Sequence, residues 1–547
     1  MWTRGIGSHY NFETVALREN RRNRPGPFSL PLLVPVMAVM AAGAVVYHRA
    51  LQYGFSQDDF VGLARAAGLV PRIHGPWRWL GNQAIFDLMR PLAGLTATPY
   101  HVASLLVHVG CGLLLLLFLR RRFTLPSATL AAIFFVTNPM IFTGVYWISV
   151  IADSLALAFA IGTLGVLDGQ GRSRWLAVPL FVLSLLAKES TLLLPLAAAF
   201  TRVAARDGGP KRPPWRDPVI LTLAGVSIGY ALYFVLSAYG TYFLAPRTPE
   251  DDLVARTTAA YAVGIGPHMG LNLFSYLAWT LNFWFPTVRS FSDAVDPNAL
   301  PWALGVIGAW LLGFAVPGLR RHGWLAGGAL YLLLLLPVLG LRHHTYHYYL
   351  YAPLLGAAWC LAALVDPLFR RAAKAPAPKK AGRAVEPGPG HMRAAWLGAA
   401  AFALLLTMNG YSLVERIETV PFIEPSLRSD PTVDRARIAS QVRRSLALAA
   451  LPVGCRLAFW SPIGAAAAQN ASADSESYLE KNVKSALVGG LAVRLLFPVV
   501  QDVVFVHDFR PLPLPWLYAV YRPDGDLKVA ASTELDSVLK TYERGPR

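Results

Sequence analysis

Apolar runs of near-helical length recur along most of this chain, and no other property constrains its fold as tightly. They fall at roughly 28–47, 100–119, 126–144, 146–168, 174–187, 189–204, 218–238, 302–318, 323–341, 347–366 and 395–411. A helix rises about 1.5 Å per residue, so about 20 apolar residues cover the hydrocarbon of a bilayer, and the runs predict about eleven crossings. With 547 residues, 54% of them hydrophobic and only 15% charged, the chain is too apolar for an ordinary soluble domain. The expected fold class is an α-helical polytopic membrane protein.

The net charge of +18 is distributed as a membrane protein distributes it. Arg18, Arg21, Arg22 and Arg24 precede the first run. Further basic groups cluster at Arg120 to Arg122, around Arg172, from Arg202 to Arg216, in "LRRHGW" at Leu319 to Trp324, and from Arg370 to Arg393. Alternation of crossings puts all of these on one side, which the positive-inside rule makes cytoplasmic. The charge therefore needs no nucleic-acid partner. The first run is long enough to be a retained helix rather than a signal h-region.

The expected organisation is a cytoplasmic N-terminus (1–27), a transmembrane catalytic region (28–366) with a first external loop at 49–99, a basic cytoplasmic linker (367–394), a last crossing (395–411) and an external tail (412–547). The chain would thus sit in the cell membrane with its C-terminal domain external or periplasmic. Two amphipathic patterns in the first loop, Phe60, Leu63, Ala67, Val70 and Trp77, Leu80, Ala84, Leu88, predict helices on the membrane surface. Segment 268–286 reads as a span, a re-entrant helix or an interfacial one. The tail reads as a small α/β domain: helices near 431–449 and 477–495, strands at "RLAFW" and "DVVFVHD", and a hairpin through "YRPDGDL".

Ionisable groups at the edges of spans are costly unless they face a wet cavity or a partner, so they mark function. Asp58 and Asp59 follow the first crossing in "SQDDFVG". Asp153 lies in "YWISVIADSLALAF", Lys188 and Glu189 in "LSLLAKESTLLLP", and Arg342, His343, His344 and His347 in "LRHHTYHYYLYAP". The predicted topology brings all of them to the external face. Such a cluster suits a lipid-linked phosphate held by cations, with a carboxylate taking a proton from an incoming hydroxyl. Each also has a plainer reading: Lys188 and Glu189 as an inter-helix loop, Asp153 as a charge favoured by a helix N-terminus, the histidines as part of an interfacial aromatic belt, and His101 and His108 as packing residues. Adjacent residues on a helix point about 100° apart, so one of Asp58 and Asp59 acts as base while the other caps the helix or binds something else, such as a cation or an acceptor hydroxyl. No His or Cys pair has a zinc spacing, and the three cysteines, Cys111, Cys360 and Cys455, form no framework. No metal site is expected, although a divalent cation at the carboxylates is compatible with this chemistry.

"DDF" after the first span, "MRPLAGLTATPYHVASLLVHVGCGLLLLLFLRRRF", "LAAIFFVTNPMIFTGVYWISVIADSLALAF", "LAKESTLLLPL" and "HYYLYAPLLGAAW" occur in an order that resembles the GT-C superfamily of integral-membrane glycosyltransferases. Within it the chain is most similar to bacterial relatives of the transmembrane and tetratricopeptide-repeat O-mannosyltransferases, and more distantly to protein O-mannosyltransferases and aminoarabinose transferases. The resemblance covers roughly residues 30–365. It implies a polyprenyl-phosphate-linked sugar donor, an external glycan, lipid or protein acceptor, and inversion at the anomeric carbon. Carried over by motif, Asp58 matches the general base with Asp59 beside it, Asp153 closes the "W-I-S" segment, Lys188 is a phosphate partner, and Arg342 and His344 lie near the lipid phosphate. The chain departs from the repeat-bearing relatives at Asn138-Pro139, where they carry His-Pro, at Ile151, where they carry a basic residue, and in lacking their repeats.

Other readings are a lipid-linked-sugar flippase, an envelope polysaccharide polymerase or ligase, and a catalytically degenerate scaffold. A transporter predicts inverted repeats and polar groups near the midplane. A polymerase favours an arginine-rich external loop, and residues 239–301 contain only Arg247, Arg256 and Arg289.

Overall fold

The computed structural model describes residues 30–73, 75–169, 171–204, 213–239, 263–281, 300–319, 323–342, 345–373, 389–418, 430–460, 479–506, 512–513, 515–521, 527–535, 537–538 and 540. The expected cytoplasmic N-terminus, most of 239–301, residues 374–388 of the basic linker, and His343 and His344 lie outside them. The helices begin with α1 (Leu30–Tyr47), α2 (Asp58–Ala66), α3 (Ile85–Ala93), α4 (Ala97–Leu119) and α5 (Leu125–Thr137). They continue with α6 (Ile151–Leu167), α7 (Ala177–Ala187), α8 (Leu194–Ala204), α9 (Pro218–Tyr239), α10 (His268–Thr280) and α11 (Leu300–Ala315). The last of the bundle are α12 (Leu325–Leu339), α13 (Leu354–Ala373) and α14 (Pro389–Glu418).

Each predicted apolar run carries a helix, but the runs are not all crossings by length. Among the described residues 4 helices, or up to 5 if a bent pair is one span, are long and apolar enough to cross a membrane. Helices α7 and α8 have only 11 residues each, short of the ~20 a single span needs. The expectation of about eleven crossings is therefore not established, while a multi-pass membrane protein is. The 268–286 segment holds α10, a helix of 13 residues.

The bundle is built around α5. Its residues from Leu130 to Thr137 are all buried, as expected of a helix that is apolar on every side, and it packs against α1, α4, α13 and α14. It stops at Asn138-Pro139, because proline offers no amide hydrogen and pushes the preceding residue out of the helical region. Asn138 Oδ1 accepts the Met140 amide at 3.0 Å, and its backbone carbonyl accepts the Tyr47 hydroxyl at 2.6 Å. The chain resumes after a 45° bend and so arrives at Trp147 to Asp153. His101 and His108 are packing residues: His108 Nε2 donates to the Val136 carbonyl at 3.0 Å, which leaves Nδ1 to accept the Tyr351 hydroxyl.

Ion pairs knit the far end of the bundle. Asp217 takes both Arg174 and Arg202, Arg122 pairs with Asp168 at 2.6 Å, and buried Asp366 accepts the Thr124 amide at 2.6 Å. These arginines belong to the basic loops that the sequence places together.

The tail forms the expected α/β unit. Helix α15 (Pro431–Leu448) precedes strands β1 (Cys455–Trp460), β2 (Val500–Phe505), β3 (Trp516–Tyr521) and β4 (Leu527–Ala531), arranged 2-1-3-4. β1 pairs in parallel with β2 and β3, and β3 and β4 are antiparallel with Tyr521 opposite Leu527. The helix expected at 477–495 is broken into Leu479–Lys484 and α16 (Leu491–Leu496). Val488, Gly489 and Gly490 all have positive φ there, and a Cβ on Gly490 would lie 2.5 Å from Val503.

The first loop departs from its expectation. Phe60 and Leu63 of α2 do not face lipid; they are buried in one apolar cluster with Ile438, Val442, Leu487 and Val493 of the tail. Protein covers that face because the α/β unit docks on it. The second pattern is divided: Trp77 and Leu88 are 43% and 60% exposed while Leu80 and Ala84 are half-buried, and the neighbouring Trp79 and Leu92, 43% and 75% exposed, add to an outward apolar surface around α3 of the kind that rests in the interfacial plane.

The close approach of α12 and α13 is testable. A Cβ on Gly356 would run into the backbone of Tyr331 and Gly327, so Gly356→Ala should cost about 1–3 kcal/mol, read as a lowered thermal midpoint of the purified protein. Gly229→Ala on α9, where nothing lies within 4 Å, should hold or raise it.

Candidate active site

Loop 48–96, the starts of α4 and α6, the α7–α8 turn and the segment between α12 and α13 share the end of the bundle that carries the tail. Helix α2 begins at Asp58, and its first turn holds both aspartates. Their environments differ sharply. Asp59 is 1% exposed; its Oδ2 accepts the Ser56 amide at 3.0 Å, and its Oδ1 accepts both the amide and the hydroxyl of Ser149 at 2.7 Å. It binds the loop to the turn that follows the α5 bend. Burial raises its carboxyl to about 7, opposing the Ser149 and Ser56 donors that pull it down.

Asp58 is exposed and, among the described residues, has no hydrogen-bond or ion-pair partner. Protein crowds around it, and that crowding raises its carboxyl above the ordinary 3.8, while Arg65, Arg78 and Arg435 draw it back down. Arg65 is seven residues on, two turns along the same face of α2. The residue before Asp58, Gln57, has φ 50° and ψ −127°, a region that side chains avoid and that collects at functional sites.

Deeper in the same end lie two ion pairs. Lys188 Nζ donates to Asp153 Oδ2 at 2.6 Å, and both residues are buried. The ammonium also sits 5.1 and 5.4 Å from the rings of Tyr348 and Tyr349. Arg78 clasps Glu189 in bidentate fashion, with Nε on Oε2 at 2.8 Å and Nη2 on Oε1. Arg78 also has positive φ, and its field reaches Asp58 and Asp153. It connects Asp58 to the buried pair.

The structure thus brings Asp58, Asp153, Lys188 and Glu189 together. Lys188 is occupied by Asp153 and two tyrosines rather than presented to a ligand. Arg342 is exposed on the segment leading to Tyr348 and Tyr349. His347 is stacked on Phe142 at 5.2 Å, with Trp279 at 6.4 Å, and so belongs to an aromatic cluster. His344 lies outside the described residues. Sequence reasoning missed Arg78, Ser149, Gln57 and Arg435. Only Arg78 carried a local signal, a cation between two tryptophans in "PWRWLG". Asp58 is the one carboxylate of this group not engaged by another side chain, and among the described residues no three His, Cys, Asp or Glu side chains gather for a metal ion. The chemistry below uses side chains alone.

These features define a polytopic helical membrane protein with charged side chains gathered at the end of its bundle that carries an α/β domain. No family model and no curated protein matches the chain. Among solved structures it is similar to the oligosaccharyltransferase of Archaeoglobus fulgidus, crystallised with a tethered acceptor peptide containing the NVT sequon, at 13% identity and a TM-score of 0.38. The match covers 78% of this chain and 62% of that one, so the chain spans less than two thirds of that protein's length. A likeness at that score carries no argument about chemistry, which rests on this chain's own side chains.

Two outcomes follow from the geometry. Lys188→Met strands a buried carboxylate and should cost about 3–5 kcal/mol, with much of the loss recovered in Lys188→Met/Asp153→Leu, measured by unfolding in detergent. Asp59 binds its proton more tightly folded than unfolded, so its contribution is greatest below about pH 4 and declines as pH rises to about 7. The thermal midpoint of wild type relative to Asp59→Asn should fall across that window.

Proposed function

We propose that the chain is an inverting membrane glycosyltransferase that moves a sugar from a polyprenyl-phosphate-linked donor to an external acceptor. The observation that carries this reading is Asp58, an exposed, unengaged carboxylate beside two ion pairs, Asp153–Lys188 and Arg78–Glu189. That end of the bundle is taken as external, with the basic loops cytoplasmic. Asp58 accepts the proton of the acceptor hydroxyl as that oxygen bonds to the anomeric carbon. The bond from that carbon to the phosphate oxygen breaks on the opposite face, so a single displacement inverts the centre, and polyprenyl phosphate departs with the electron pair. The proton leaves Asp58 to solvent.

Asp59 holds the loop, and the Asp153–Lys188 and Arg78–Glu189 pairs lie deeper in the same end. Exposed Arg342 is the cation available to the leaving phosphate. The ionisable groups stand at helix ends, Asp153 in the first turn of α6 and Lys188 just past α7, which favours chemistry at one face over transport through the midplane. Membrane lipids and the lipid-linked donor are the expected partners; the acceptor is a glycan, a lipid or a protein of the cell envelope.

Mass analysis of envelope glycans and glycoproteins tests this directly. Loss of the gene should remove one sugar, which wild type restores and Asp58→Asn, expressed at equal level, does not; unchanged glycans in the deletion overturn the reading. In membranes the variant should transfer about 10²- to 10⁴-fold more slowly, the range for loss of a general base. Because the base acts deprotonated and its carboxyl is raised, the rate should climb with pH through a limb above 3.8.

A further inference from the structure

The placement of Asp58 is not a local matter. Gln57 occupies a backbone conformation that a residue with a side chain holds only when its surroundings enforce it, and the surroundings here come largely from the other end of the chain. The Gln57 amide donates to the Ala486 carbonyl at 3.2 Å. Arg435 Nη1 donates to Gln57 Oε1 at 2.8 Å across 378 residues. Gly54 lies so close to Ser440 of α15 that a Cβ there would overlap its hydroxyl. Phe55, Phe60 and Leu63 are buried with Ile438, Val442 and Val493. The bundle grips the same turn from the other side through Ser149 and Asp59.

We propose that the C-terminal α/β domain is a positioning part of the site: Arg435 and the Ala486 carbonyl hold Gln57 in its left-handed conformation and thereby fix where Asp58 points. The consequence for transfer rests on the reading of Asp58 as the acting carboxylate; the clamp itself does not. Arg435 is a positioning residue with a second effect through charge, since it faces Asp58 together with Arg65 and Arg78 and opposes the burial that raises its carboxyl. Asp59, the neighbouring acid, is buried on Ser149.

The test uses the full-length protein in lipid, with Arg435→Met, Arg435→Lys, Gln57→Gly and the double variant Gln57→Gly/Arg435→Met. Hydrogen exchange of residues 54–60 reads the clamp without any assay of activity. Arg435→Met should speed it about tenfold while leaving residues 125–137 and 455–460 protected, and Arg435→Lys should keep part of the protection. In transfer assays Arg435→Met should lower kcat more than it raises KM and move the acid limb to higher pH, because a positive charge near Asp58 is gone. Glycine adopts positive φ without strain, so on the pH plateau above the acid limb the double variant should be no slower than Gln57→Gly alone. Unchanged exchange at 54–60 in Arg435→Met overturns the clamp, as does an equal Arg435→Met penalty on the pH plateau in the wild-type and Gln57→Gly backgrounds. Faster exchange together with full transfer by Asp58→Asn upholds the clamp and overturns the reading of Asp58 as base.

Discussion

The tail-bearing end of the bundle depends on the hydrogen bonds of one buried carboxyl group. Asp59 receives three hydrogen bonds, from the Ser56 amide and from the amide and hydroxyl of Ser149, and so ties the first loop to the bundle. Ser149 is available because α5, buried on all sides, is stopped by Asn138-Pro139 and the chain turns toward that end. The dependence runs from an apolar helix to a bend, from the bend to Ser149, and from Ser149 to Asp59. Asp58, one residue earlier on a helix whose residues step by about 100°, is left exposed. Burying one acid is what exposes the other.

The charges deeper in that end of the bundle are arranged to cancel. A lone ion moved into a low-dielectric interior carries a penalty of several kcal/mol, which a partner in good geometry offsets. Lys188 with Asp153 and Arg78 with Glu189 satisfy this, and the tyrosine rings around Lys188 add a weaker attraction. With each pair neutral overall, the field at Asp58 is set by Arg65, Arg78 and Arg435. A phosphate would reach Lys188 only by sharing or displacing Asp153.

What the sequence disclosed and what it hid divide along a physical line. Apolar runs, the aspartates opening α2, the strands at 455–460 and 500–505 and the paired basic loops are local patterns, and periodicity or composition reports them. Ser149 with Asp59, Arg78 with Glu189 and Arg435 with Gln57 join residues 90, 111 and 378 positions apart, which no local period encodes. The amphipathic face of α2 was legible as apolar but not by what covers it, because hydrophobicity is non-directional and a docked domain satisfies it as well as a bilayer does. The short α7 and α8 show the converse limit: an apolar run specifies burial, and its length decides whether that burial is a full crossing.

These two faces of the first loop bear on how the proposed reaction would be arranged. Around α3 the loop turns Trp77, Trp79, Leu88 and Leu92 outward, as a segment resting in the interfacial layer does. Through α2 the same loop is sealed beneath the α/β domain. Asp58 lies where the two surfaces meet. A lipid-linked donor is confined to the membrane and its sugar to the interface, whereas a polar acceptor arrives through water; a base at this boundary reaches the acceptor hydroxyl without entering hydrocarbon, and the bundle needs only to hold the departing phosphate. A carboxylate at the midplane would face the same donor but would have to be desolvated before it could take a proton, the kind of burial cost that already raises the carboxyl of Asp58.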